Sequence, residues 1–226
     1  QALKNHRLTS VFTGEFTCPN KKKLLRVLLH MQYVAKTVIH LYTGMRDQEV
    51  MRMSYNSLSD QFVRQTVVDD QGVERDKPQT VNVLSTTTKF SGYKKEGTWF
   101  APGEVVKAVE VAQAICRGLA ILYEIAPDDR CPLFPNPAIL SFKRGSAEVG
   151  VTDFASKRLN GSALRALSIQ AEDLQELAQS DPSRYFNNEP AFAKGQPWPL
   201  TSHQFRRSLA FYGSSSGKWR LFIREI

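Results

Sequence analysis

The chain has 226 residues, enough for one large domain or two small ones with a real interior. Apolar residues make up 42% and charged residues 23%, which excludes a mainly disordered chain, because that much apolar surface offsets the entropy of ordering. Thirty Lys and Arg against 22 Asp and Glu leave a formal charge of +8, which suits an anionic partner, nucleic acid ahead of an acidic lipid surface.

Residues 1–22 read as an irregular segment, with Pro19-Asn20 as a turn signal before the basic triplet Lys21, Lys22 and Lys23. A helix follows, because Leu24, Leu28, Met31, Ala35, Val38 and Tyr42 recur at spacings of three and four and Gly44 stops the pattern. A short second helix is expected from Asp47 to Met53 with Val50 and Met53 inward, so the turn Thr43 to Arg46 is held between two helices. From Phe62 to Thr88 the texture becomes β-branched. Strands at Phe62–Val68, Thr80–Thr88 and Thr98–Phe100 predict a small antiparallel three-stranded sheet with Lys89, Lys94 and Lys95 on or beside a hairpin.

A strong helix is expected after Pro102-Gly103, with Val105, Val109, Ala112, Cys116, Leu119 and Tyr123 on one face and Cys116 as a core filler. The stretch Cys131 to Pro137 reads as a proline-rich connector, and a further helix is expected from about Ile169 to Gln179. After a proline-rich loop, Ser202 is expected to cap a helix that carries His203 and Arg206 on one side. No apolar run reaches the roughly 18 residues that cross a bilayer, and no secretory signal is expected. Cys18, Cys116 and Cys131 are an odd count without a C-x-x-C pair, which suits a reducing compartment better than a disulfide framework. The four histidines lie too far apart in sequence for a zinc site.

Two segments carry the chemistry, Thr43-Gly44-Met45-Arg46-Asp47-Gln48-Glu49 and His203-Gln204-Phe205-Arg206. Together they resemble the two signature boxes of the tyrosine recombinase (phage integrase) family, a helix end reading Thr-Gly-apolar-Arg-x-x-Glu and a later helix start reading His-x-x-Arg. The family places a lysine on a β-hairpin between the boxes, and Lys89 is similar to it in position, with Lys94 and Lys95 as alternatives. The resemblance spans roughly residues 24–212 and implies an α+β, mainly α fold: a recombinase-like catalytic domain over residues 23–212, followed by a linker-like tail over residues 213–226.

What the resemblance implies is metal-free and cofactor-free transesterification of DNA through a 3′-phosphotyrosyl intermediate. Two guanidinium forks suit the non-bridging oxygens of a phosphorane-like state, which points to Arg46 and Arg206. A lysine is suited to protonating the leaving oxygen and an imidazole to assisting at the phosphate, which points to Lys89 and His203. Glu49, one turn after Arg46, is expected to orient an arginine or the histidine, and Lys94, Lys95 and Arg207 to contact DNA. The partners implied are double-stranded DNA and further copies of the chain in a tetramer on it, with a cytoplasmic, nucleoid-associated location.

The family's nucleophilic tyrosine is expected some tens of residues after His-x-x-Arg, whereas 20 residues follow Arg206 here. Tyr212 is too close to Arg206 to take that role, and Trp219 is nearer than the family's His/Trp position. The chain therefore reads as an incomplete catalytic domain, or alternatively as a non-cleaving DNA-binding or regulatory protein of the same fold. An unrelated basic adaptor is a third reading.

Overall fold

The computed structural model of the chain describes residues 2–7, 10, 12–59, 67–68, 71–72, 74–75, 80–88, 94–141, 148–154 and 167–215. Helices dominate them: α1 (Ala2–Asn5), α2 (Lys21–Thr43), α3 (Asp47–Met51), α4 (Glu104–Tyr123), α5 (Ala171–Ser180) and α6 (Ser202–Ser215). The strands are β1 (Val67–Val68), β2 (Glu74–Arg75), β3 (Thr80–Thr87) and β4 (Lys95–Pro102). The fold class is thus α+β and mainly α, and the short α1 with a 3-10 turn at Gly14–Phe16 corrects the expectation of a wholly irregular start.

Asn20 starts α2 by accepting the amide of Lys23 on its side chain, satisfying one of the donors that a helix N-terminus leaves unpaired. Along α2 the buried face is rotated from the expected stripe. Val27, Leu29, Gln32, Ala35, Lys36, Ile39 and His40 are buried, whereas Tyr42 is exposed. Three polar side chains at successive four-residue steps, Gln32, Lys36 and His40, lie on the inner side, and apolar periodicity alone cannot assign them there. Gln32 is satisfied by donating from Nε2 to the Pro135 carbonyl at 2.9 Å and accepting from the Thr152 hydroxyl at 3.1 Å.

On α4 the buried face includes every apolar position that the spacing predicts, from Val105 to Tyr123. This helix packs along α2 and forms the wall of the main core with Ile39, Met45, Val50, Val81, Leu133 and Phe134. Farther along, Ile115, Leu119 and Tyr123 close a second cluster with Ile139. The proline-rich connector turns out to be interior. Leu133 and Phe134 are fully buried, and the Leu133 amide donates to the Met53 carbonyl at 2.9 Å.

Among the described residues the strands form two separate pairs rather than the expected three-stranded sheet. β3 and β4 form an antiparallel hairpin from Thr80 opposite Pro102 to Thr87 opposite Lys95. β1 pairs with β2 instead of joining them, while residues 62–66 of the expected first strand lie outside the described residues. Alternation along β3 buries Val81, Val83 and Ser85 against α3 and the core. On β4, Gly97 leaves room for the Trp99 ring, since a Cβ there would sit 2.6 Å from it.

Candidate functional site

The candidate site begins where α2 stops. Gly44 takes the left-handed conformation with φ +63°, and its amide donates to the His40 carbonyl, a C-cap that a Cβ would strain. The Thr43 hydroxyl donates to the Ile39 carbonyl at 2.7 Å and accepts the Met45 amide at 3.2 Å, so the turn is bonded on both sides of the glycine. Met45 is fully buried, which anchors the turn and leaves Arg46 half-buried at the start of α3.

Glu49 holds Arg46 twice. Its carboxylate accepts the Arg46 amide at 2.6 Å and the Arg46 Nη1 at 2.7 Å, and it is only 2% exposed. It also ties in the hairpin: the Thr87 hydroxyl donates to Glu49 Oε1 at 2.8 Å, and the Ser85 hydroxyl donates to the Glu49 carbonyl. Burial pushes the Glu49 carboxyl upward, but the bonds from the Arg46 amide, Thr87 and the Arg46 guanidinium together hold it below the ordinary value.

The second segment arrives on α6. Thr201, and not Ser202, caps this helix: the Gln204 amide donates to Thr201 Oγ1 at 3.4 Å and the Gln204 side chain accepts the Thr201 amide at 2.6 Å. That reciprocal box is a Thr-x-x-Gln pattern present in the sequence. Arg206 Nη1 donates to the Gly44 carbonyl at 3.1 Å, a contact between residues 162 positions apart. Leu209, one turn on, packs so closely that a Cβ on Gly44 would lie 3.1 Å from its Cδ2. Burial lowers the pKa of the Arg206 guanidinium, the neighbouring charge of Arg46 lowers it further and Glu49 works against both. The two guanidinium groups thus feel each other across one turn of backbone, with the Glu49 carboxylate shared between their fields.

His203 lies one turn before Arg206 and is exposed, as is Arg207. Lys94 and Lys95 are exposed at the connecting end of the β3–β4 hairpin, where Lys95 pairs with Thr87, the residue bonded to Glu49. Lys89 lies outside the described residues, as do Trp219 and the side chain of Tyr212. The geometry therefore gathers Arg46, Arg206 and Glu49, with the hairpin end tied to the same carboxylate. No family model, no curated protein and no solved structure matches the chain.

Sequence reasoning missed the tethers Ser85 and Thr87, read there only as strand formers. It also assigned no functional role to Lys36, His40 or Asp47. Lys36 Nζ forms an ion pair with Asp47 Oδ1, and His40 Nε2 lies 3.5 Å from the same oxygen. The signal was the polar stripe of Gln32, Lys36 and His40 on an otherwise apolar helix side. Among the described residues no group of three or more His, Cys, Asp or Glu side chains is arranged to hold a metal ion, and no helix is long and apolar enough to cross a membrane. What the arrangement offers is two part-buried, permanently charged planar donors against one carboxylate, a surplus of positive charge suited to a tetrahedral oxyanion.

Proposed function

We propose that this chain is the catalytic domain of a tyrosine-recombinase-like enzyme that breaks and rejoins duplex DNA by transesterification at a phosphodiester. The single observation that carries the reading is the bond from Arg206 to the Gly44 carbonyl, which joins the two segments that resemble the family's boxes. Two like charges beside one turn repel and lose solvation, a cost that Glu49 and the Gly44 carbonyl offset in part and that a bound anion would offset further.

In this reading Arg46 and Arg206 clamp the non-bridging oxygens of the reacting phosphate and stabilise the charge that grows on them as the fifth oxygen approaches. Glu49 keeps the Arg46 fork in one orientation. His203, on the first turn of α6, donates to the phosphate or accepts the proton of the nucleophile, and a hairpin lysine, Lys89 or one of Lys94 and Lys95, protonates the leaving 5′-oxygen. Lys94, Lys95 and Arg207 meet the DNA backbone, contacts that position the duplex without reading its sequence. Assembly into a tetramer on DNA and a nucleoid-associated location in the cytoplasm belong to the same proposal.

The test is a duplex with a nick placed so that the released strand end diffuses away after cleavage. A longer version of the protein that carries the nucleophilic tyrosine the family places after His-x-x-Arg is expected to form a denaturant-resistant covalent adduct with it, lost in Arg46→Ala and in Arg206→Ala. Binding without any adduct would identify a non-cleaving DNA-binding protein with the same anion site. Absence of both adduct and binding at low salt overturns the proposal.

A further inference from the structure

Lys36, His40 and Asp47 form a second charged cluster directly behind the arginine pair. Lys36 and His40 are 8% and 2% exposed, unusual for a lysine and costly for both without partners. Their partners are specific. Asp47, the residue after Arg46, pairs with Lys36, whose Nζ also lies 5.3 Å over the Phe154 ring. His40 Nδ1 lies within hydrogen-bond distance of the Met45 carbonyl at 3.1 Å, whereas Nε2 is buried without a hydrogen-bond partner and lies 3.5 Å from Asp47 Oδ1. Its ring also lies against Phe205 of α6, the neighbour of Arg206, with centroids 6.4 Å apart. His40 thus touches the residues on both sides of Arg46 and the residue beside Arg206.

We propose that His40, anchored by the Lys36–Asp47 ion pair, is a positioning residue that sets the separation of Arg46 and Arg206 so that both grip one anion. The inference rests on the reading of Arg46 and Arg206 as an anion site, and it assigns a role to residues that this reading leaves without one. Two guanidinium groups repel, so a shared anion requires both backbones to be fixed before it arrives. Glu49 and the Gly44 carbonyl fix the two side chains. The His40 cluster fixes the segments that carry them, α3 through Met45 and Asp47 and α6 through Phe205.

The experiment is a double-mutant cycle of Arg46→Ala and Arg206→Ala, read as affinity for inorganic phosphate and, in parallel, for a short duplex DNA. It is run in the parent protein and again in His40→Phe and Asp47→Asn backgrounds. His40→Phe keeps a ring against Phe205 but removes both polar contacts. Asp47→Asn keeps size at a half-exposed position, and so serves if the buried change prevents folding. The parent is expected to give a coupling of about fivefold or more between the arginines, falling towards unity in either background. Asp47→Glu is expected to restore part of the coupling, which a general loss of stability would not allow.

Coupling that survives intact in both backgrounds overturns the positioning role while leaving the recombinase reading standing. Coupled phosphate binding that depends on His40 and Asp47, without DNA binding, keeps the inference and defeats that reading. If neither anion binds the parent, both fail.

Discussion

Glu49 is the residue on which most of the site's contacts meet. A buried carboxylate held below its ordinary pKa stabilises the fold above the unfolded value, near 4.5, and that contribution disappears as pH falls through the lowered folded value. Glu49→Gln is therefore expected to cost about 1–3 kcal/mol at neutral pH and to flatten the acid limb of the stability curve, as measured by denaturant unfolding at a series of pH values. An unchanged acid limb would mean that the carboxylate is not held as the contacts indicate. The contact between Glu49 and Arg46 was legible from three-residue spacing on a helix, whereas the contact with Thr87 was not, because it depends on how the hairpin lies against α3. Cys116 and Cys131 illustrate the same limit. Cys116 was recognisable as a small apolar filler, whereas Cys131 was read as part of a connector, and the 3.3 Å approach of their sulfurs is a tertiary fact. Burial pushes both thiols upward, so in the native protein they are expected to resist an alkylating reagent at neutral pH and to react on unfolding, with mass spectrometry distinguishing the sites. Rapid native labelling of Cys116 would contradict its burial.

Among the elements, α4 was readable in full because its inner face is uninterruptedly apolar. The inner face of α2 was misread by a rotation, since Lys36 and His40 occupy interior positions that a hydrophobic pattern assigns to solvent. The hairpin of β3 with β4 was expected, but the pairing of β1 with β2 was not, because strand texture marks which residues are extended and leaves open which neighbours they choose. The junction of α2, α3 and α6 gives a direct test of the architecture. Gly44→Ala is expected to cost more than about 1 kcal/mol, because the left-handed backbone disfavours a Cβ and the new atom would meet Leu209. It is also expected to weaken anion binding by displacing α6 and Arg206 with it. Thermal unfolding and phosphate affinity measured on the same variant check both effects. Thr201→Ala is expected to lose about 1 kcal/mol through the cap of α6, whereas Ser202→Ala is expected to change stability little. Equal losses from the two substitutions would contradict the assignment of the cap.

For the whole molecule, the mainly helical α+β character and the absence of a membrane-spanning helix among the described residues were accessible from composition and periodicity. Proximity of Arg206 to the turn that carries Arg46 was not, since no local pattern brings Arg206 to the Gly44 carbonyl 162 positions away. A positive balance of eight charges draws any basic chain towards polyanions, so affinity for DNA by itself says little about this site. The most direct measurement of the central claim is duplex DNA affinity as a function of salt for the parent, Arg46→Ala, Arg206→Ala and the double variant. If both arginines grip one phosphate, each single substitution is expected to lower the slope of log affinity against log salt by about one, and the double variant to bind little worse than either single. Slopes unchanged by either substitution, or independent losses that simply add, would contradict a shared phosphate between the two arginines.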